Sequence, residues 1–180
     1  LPYQTHSNKV VIINKYNLKE KIIADGLITQ DKNINLGILT ADCCPIFIYD
    51  KDETFICCLH SGWKGTLSNI VKESIIKLKK RGIKTCELIA IVGPCLGIKN
   101  FEVHKDFKKK FIKKNHYYST FFKFKNKNKD LFDLRAIINH QLKIEGIDKV
   151  YNIKKDTYKN SHIFFSHRRS THKNNVDGGR

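Results

Sequence analysis

The sequence predicts a soluble α/β protein folded as one domain, and three observations carry that expectation. Its 180 residues fall within the size of a single domain. Short β-like runs alternate with amphipathic helical patterns, and no internal repeat of fixed period interrupts them. Hydrophobic residues make up 41% of the chain and aromatic residues 11%, enough for a sizeable core even beside a net charge of +17. The apolar runs are far shorter than a bilayer span, so no membrane helix is expected.

In chain order, residues 10–13, 26–29 and 36–40 read as strands because β-branched and aliphatic residues cluster there between polar turns. Residues 46–49 and 55–60 form a hairpin around Asp50, Lys51, Asp52 and Glu53. Leu67, Ile70, Val71, Ser74, Ile75 and Leu78 then recur at helical spacing, and the basic 79–81 followed by Gly82 end that helix. Residues 88–92 make another strand, 104–114 a second helix, and 131–145 a third with Gly146 after its last turn. The Lys-, Asn- and Phe-rich 123–129 reads as a solvated loop.

The hairpin makes the sharpest local prediction. If its turn centres between Lys51 and Asp52, Cys43 lies directly opposite His60, with Cβ atoms about 4.5–5.5 Å apart. Cys44 and Cys57 then face the other side. Pro45 has no N–H for the ladder and marks a strand start or bulge beside Cys43, where the register can shift.

Lys and Arg number 34 against 17 Asp and Glu, a balance that suits phosphate-bearing partners. Of the 34, however, 29 are Lys and only five are Arg, the better reader of base edges. Abundant Lys, Asn and Ile fit drift toward A- and T-rich codons, which spreads charge over the whole surface, and nucleic-acid binding is not expected. The six cysteines are Cys43, Cys44, Cys57, Cys58, Cys86 and Cys95. Adjacent strand residues point to opposite faces, so the two vicinal pairs suit thiols better than a disulfide ladder. No charged-then-apolar leader opens the chain, and a reducing cytoplasm is the expected compartment.

Cys43 and His60 would give zinc a thiolate and an imidazole, and a catalytic zinc needs a third protein ligand plus one open position. The other histidines, His6, His104, His116, His140, His162, His167 and His172, all stand as candidates for it. There is no HExxH, no P-loop and no GxGxxG, and the PCxxC of zinc deaminases is broken because Ile98 follows Pro94 and Cys95 where the second Cys would stand. Gly62 and Gly65 around Trp63 and Lys64, and Gly93 and Gly97 around Pro94 and Cys95, mark turns whose N–H groups can approach an anion. Near the end, the apolar Phe164 and Phe165 lead into His167, Arg168 and Arg169, two adjacent guanidinium groups after an expected strand that can clamp phosphate or carboxylate.

These segments together resemble one family. Gln4 to Ser7, TADCCP at 40–45, HSGWKG at 60–65, VGPCLG at 92–97 and FFSHRR at 164–169 resemble, in order and spacing, the multicopper polyphenol oxidase or laccase-domain family, many of whose members are described as purine nucleoside phosphorylases. The resemblance implies a single domain over 1–180, with central mixed β-sheets covered by outer helices in an α-β-β-α layering of cysteine-hydrolase type. Members extend further at both ends, so this chain is expected to lack N- and C-terminal segments. The resemblance also implies zinc ligands at His6, Cys43 and His60, with copper as the other metal considered. A blue-copper site would call on Met, and the chain has none.

The implied activity is phosphorolysis of adenosine, inosine, guanosine or methylthioadenosine to base and ribose 1-phosphate, with deamination of adenosine as a second activity. Lys64, Arg168 and Arg169 are the expected binders of the phosphate co-substrate, and Asp42 is a candidate acid beside Cys43 and His60. Two departures bear on substrate affinity: Lys64 stands where many members have Arg, and Asp156 where Cys is common. The alternatives are a Cys/His amidohydrolase linked to editing of peptidoglycan precursors, with Cys43 as nucleophile and His60 as base, and the polyphenol oxidase of the family's name.

Overall fold

The expected hairpin lies at the heart of a six-stranded sheet. The computed structural model describes residues 1–174, and its strands are β1 (Val10–Ile12), β2 (Gly26–Thr29), β3 (Cys44–Asp50), β4 (Ile56–Ser61), β5 (Leu88–Val92), β6 (Glu102–His104), β7 (Phe122–Phe124), β8 (Lys129–Phe132) and β9 (Lys149–Asn152). The helices are α1 (Trp63–Leu67), α2 (Ile70–Lys79), α3 (Lys105–Lys114), α4 (Leu134–Ile144) and α5 (His167–His172). The large sheet runs β1-β2-β4-β3-β5-β9, parallel at its two outer pairs and antiparallel between them. A second, antiparallel sheet runs β6-β8-β7. The fold is therefore mixed α/β with two sheets and accompanying helices.

The pleat of each strand decides which side chains are buried. Along β5, Leu88, Ala90 and Val92 are fully buried while Ile89 and Ile91 are only partly so, the period of two expected of a strand. With Ile46, Ile48 and Leu59 they join one core with Ile70, Val71, Ile75 and Leu78 of α2 and Leu134, Ile137, Ile138 and Leu142 of α4. Burying each such Ile or Leu contributes about 1.5–3 kcal/mol. Phe111, Phe122 and Phe132 extend this core under the small sheet, with ring centroids 4.9 Å apart for both Phe111–Phe132 and Phe122–Phe132.

The observed hairpin register differs from the expected one. Pro45 faces His60 and Cys44 faces Ser61, a slip of two residues. Its cause is the turn: Asp50 accepts hydrogen bonds from the Thr54 N–H at 2.8 Å and the Thr54 hydroxyl at 2.6 Å, and Glu53 takes a left-handed φ of 53°, which moves the turn along the chain. A two-residue slip leaves every side chain on its expected face.

Three other expectations are corrected. Residues 36–40 form no strand, because the Gln4 side chain claims both backbone groups of Leu39 at 2.8 and 2.7 Å. The third helix starts at Leu134, capped by Asp133, which accepts from the Ala136 N–H, while Leu131 and Phe132 belong to β8. The expected 123–129 loop is largely a hairpin, closed by the Asn126 side chain accepting from the N–H groups of Asn128 and Lys129. The second helix stands as expected, with His104 at its N-cap position. Among the described residues no helix is long and apolar enough to cross a membrane.

Candidate metal centre

His6, Cys43 and His60 come together from three separate segments, and their ligand atoms all lie within 4.8 Å of one another. His60 is near the end of β4 and is 3% exposed, whereas His6 and Cys43 are half-buried, so the cluster has one sheltered side and one side toward solvent. The imidazoles of His6 and His60 meet edge to face, 4.8 Å between centroids. Gly62 leaves room for them: a Cβ there would stand 2.7 Å from Cys43 Sγ and 3.2 Å from His6 Cδ2. Two imidazoles and a thiolate suit a borderline-soft ion such as Zn(II). These residues fit the metal that the family resemblance implies.

The residue that organises this cluster is one that sequence reasoning missed. Asp25 is fully buried just before β2. Its Oδ1 accepts from His60 Nδ1 at 2.8 Å and from the His6 N–H at 2.9 Å. Its Oδ2 accepts from the Ser7 N–H and hydroxyl, both at 2.7 Å, and from the Thr5 N–H at 3.1 Å. Burial alone would push this carboxyl up, but the hydrogen bonds from His60, Ser7 and Thr5 outweigh it and hold it down at about 2. A signal was present in the sequence, since Asp25 is the only charged residue between Ile22 and Thr29.

Asp42, next to Cys43, has a left-handed φ of 85°. Its carboxylate accepts from the Thr157 hydroxyl at 2.6 Å and the Arg168 N–H at 2.7 Å, and its carbonyl accepts from the Leu96 N–H at 3.0 Å. The ligand loop is thereby tied to the start of α5. Arg168 and Arg169 do not follow a strand as expected. They occupy the first turn of α5, because Ser166 caps that helix by accepting from the Arg169 N–H. The Arg168 guanidinium donates to the carbonyls of Asn100 and Glu102, and that of Arg169 to those of Thr157, Tyr158 and Phe164. Lys64 is exposed in α1, its Nζ 5.7 Å from the Trp63 ring. Asp156 braces the Gly97 turn by accepting from the Gly97 N–H and the Asn100 side chain.

Burial pushes the Cys58 thiol up to about 12 and the Cys57 thiol well above its ordinary range. Cys95, also buried, shares a hydrogen bond with the Cys44 thiol, and against the opposing effect of burial that hydrogen bond and the Arg135 guanidinium, 3.3 Å away, lower its pKa. Among the described residues no two cysteines are joined by a disulfide, as the vicinal pairs suggested.

Comparison with known proteins identifies the family and the fold. The profile of a family described as multi-copper polyphenol oxidoreductase laccase matches residues 1–180. A Rickettsia conorii protein named purine nucleoside phosphorylase is 37% identical over 174 residues, covering 94% of this chain and 70% of that protein. A Rickettsia prowazekii protein of the same name is 36% identical over 174 residues, with the same coverage. The crystal structure of the Neisseria meningitidis protein NMB0706 superposes with a TM-score of 0.86 at 28% identity, over 93% of this chain and 68% of that one. Bacillus licheniformis YfiH, at 23% identity over 94% of this chain and 68% of its own, shares the fold with a TM-score of 0.87.

Proposed function

The chain belongs to the multi-copper polyphenol oxidoreductase laccase family, and on that premise we propose that it is a zinc-dependent purine nucleoside phosphorylase. In this reading it converts adenosine, inosine, guanosine or methylthioadenosine, with phosphate, to the free base and the sugar 1-phosphate, and deaminates adenosine as a second activity. The observation that carries the proposal is the convergence of His6, Cys43 and His60 on one half-open point, in a chain similar to proteins named for that reaction.

His6, Cys43 and His60 would hold the ion, which would supply Lewis-acid chemistry when bound. The chain's own residues do the rest. Asp25 keeps a proton on His60 Nδ1, which leaves Nε2 as the ligating nitrogen. Phosphate must be held against a sugar that becomes cationic as the bond to the base loosens, and Lys64, an exposed cation four residues after His60, would take that role. Arg168 and Arg169 would assist indirectly, since their guanidinium groups already serve backbone carbonyls and hold the segments they join. Asp42, both of whose carboxylate oxygens accept hydrogen bonds, holds the Cys43 loop in place.

The Asp25–His60 bond also favours a second reading, a Cys43–His60–Asp25 nucleophile, base and orienter of the amidohydrolase kind. His6 tips the balance to metal, because a thiol hydrolase has no use for a second imidazole at its sulfur. Incubation of inosine with and without phosphate tests the proposal: phosphate-dependent release of hypoxanthine that a chelator abolishes supports it. Activity that ignores chelators and is lost to a thiol alkylator favours the amidohydrolase.

A further inference from the structure

We propose that Asp25 is the positioning residue of the metal centre, a single carboxylate that sets which nitrogen of His60 faces the cluster and holds the backbone that presents His6. The inference rests on the reading of His6, Cys43 and His60 as metal ligands and says how two of the three are made ready.

The two carboxylate oxygens divide the task. Oδ1 serves His60 Nδ1 and the His6 N–H, while Oδ2 serves Thr5 and Ser7. Because a carboxylate only accepts, Nδ1 of His60 carries the hydrogen and Nε2 keeps its lone pair. The N–H groups of three consecutive residues, Thr5, His6 and Ser7, converge on the same anion, a backbone nest. His6 sits in it with a φ of 59°, a conformation that non-glycine residues seldom adopt without such support. Pairing of β2 with β4 fixes the geometry, since the His60 N–H also donates to the Asp25 carbonyl at 2.7 Å.

An isosteric amide cannot perform both tasks. With its NH2 at the Oδ1 position, Asn would donate to His60 Nδ1 and force the hydrogen onto Nε2, the nitrogen needed by the metal. With its NH2 at the Oδ2 position, it would confront the N–H groups of Thr5 and Ser7 and release the His6 loop. Either orientation disables one ligand.

Cobalt(II) titration of the wild type and of Asp25→Asn, read by absorbance and by competition with a chelator, tests this. Cobalt affinity is expected to fall roughly 10–100-fold in the variant, with the charge-transfer band of the Cys43 thiolate retained and the d–d bands altered as one imidazole is lost. A purely architectural role would lower the melting temperature yet leave the spectrum unchanged. Wild-type affinity and spectrum in Asp25→Asn overturn the inference alone. A wild-type protein that takes up no cobalt overturns the metal reading beneath it. Should the variant not fold, nitrogen-15 NMR of the metal-free wild type decides: hydrogen on His60 Nδ1 supports the inference and hydrogen on Nε2 overturns it.

Discussion

Asp25 grips His60 twice, its carboxylate accepting the Nδ1–H at 2.8 Å and its backbone carbonyl accepting the His60 N–H at 2.7 Å. The first contact orients a side chain and the second belongs to the neighbourhood of the β2–β4 ladder, where Gly26 faces Leu59. Strand register therefore delivers the imidazole to the cluster, and register in turn follows from burial of Ile28, Leu59 and Ile46 in the core.

Gly62→Ala tests how closely the ligands are packed. Gly62 has φ −79° and ψ 178°, which alanine adopts freely, so any penalty comes from the new methyl group against Cys43 and His6. Overpacking of about 1–3 kcal/mol corresponds to roughly 5–150-fold in metal affinity. Equilibrium dialysis with Zn(II) is expected to show that loss with the circular dichroism unchanged; undiminished affinity would contradict the geometry.

Asp42 separates backbone strain from hydrogen bonding. Asp42→Ala loses the bonds to Thr157 and Arg168 and places a side chain at φ 85°, whereas Asp42→Gly loses the bonds alone. The alanine variant is expected to be less stable than the glycine variant by about 1 kcal/mol, as read by urea unfolding. Equal stability would mean that the left-handed conformation costs nothing here.

Lys64 and Arg169 are expected to fail in different ways. Lys64→Ala should raise the KM for phosphate about tenfold, the loss of one charge-assisted contact, with stability within about 0.5 kcal/mol of wild type. Arg169→Ala strips the donor from three carbonyls and should cost about 2–3 kcal/mol. The opposite pattern, an unstable Lys64 variant and a stable Arg169 variant with weak phosphate binding, would reverse the assignment.

Acid should destabilise the metal-free protein through Asp25 and Asp50. Burial raises both carboxyls and hydrogen bonds more than reverse it, from His60, Ser7 and Thr5 on Asp25 and from Thr54 on Asp50. A carboxyl whose folded pKa is depressed adds stability above its unfolded value, near 3.9, and that stability disappears as pH falls through the folded value, about 2 for Asp25. Asp25 alone then accounts for about 2 kcal/mol lost between roughly pH 5 and 2. Urea midpoints measured in that window should fall with pH in the wild type and less steeply in Asp50→Asn.

Much of this architecture is legible in the sequence because burial imposes a period. The α2 pattern and the apolar run at 88–92 announce themselves, since Ile70, Val71, Ile75 and Leu78 of the one and Leu88, Ala90 and Val92 of the other meet the same core. Strands β6 and β9 do not: three or four residues long and partly exposed, they take their state from their partners β8 and β5. The site shows the same division. The family resemblance implied His6, Cys43 and His60, and the hairpin placed Cys43 and His60 on one face even with the register two residues out. Asp25 was hidden because its role depends on Thr5, His6 and Ser7 folding back across 18 to 20 residues, a contact with no local pattern.

Metal content of the purified wild type and of Cys43→Ala, with phosphate-dependent hypoxanthine release assayed on the same samples, tests the central claim most directly. The account predicts one zinc per wild-type chain and a variant without stoichiometric zinc, with activity lost alongside the metal. A metal-free wild type that still releases hypoxanthine, or a Cys43→Ala variant that keeps both zinc and activity, would contradict it.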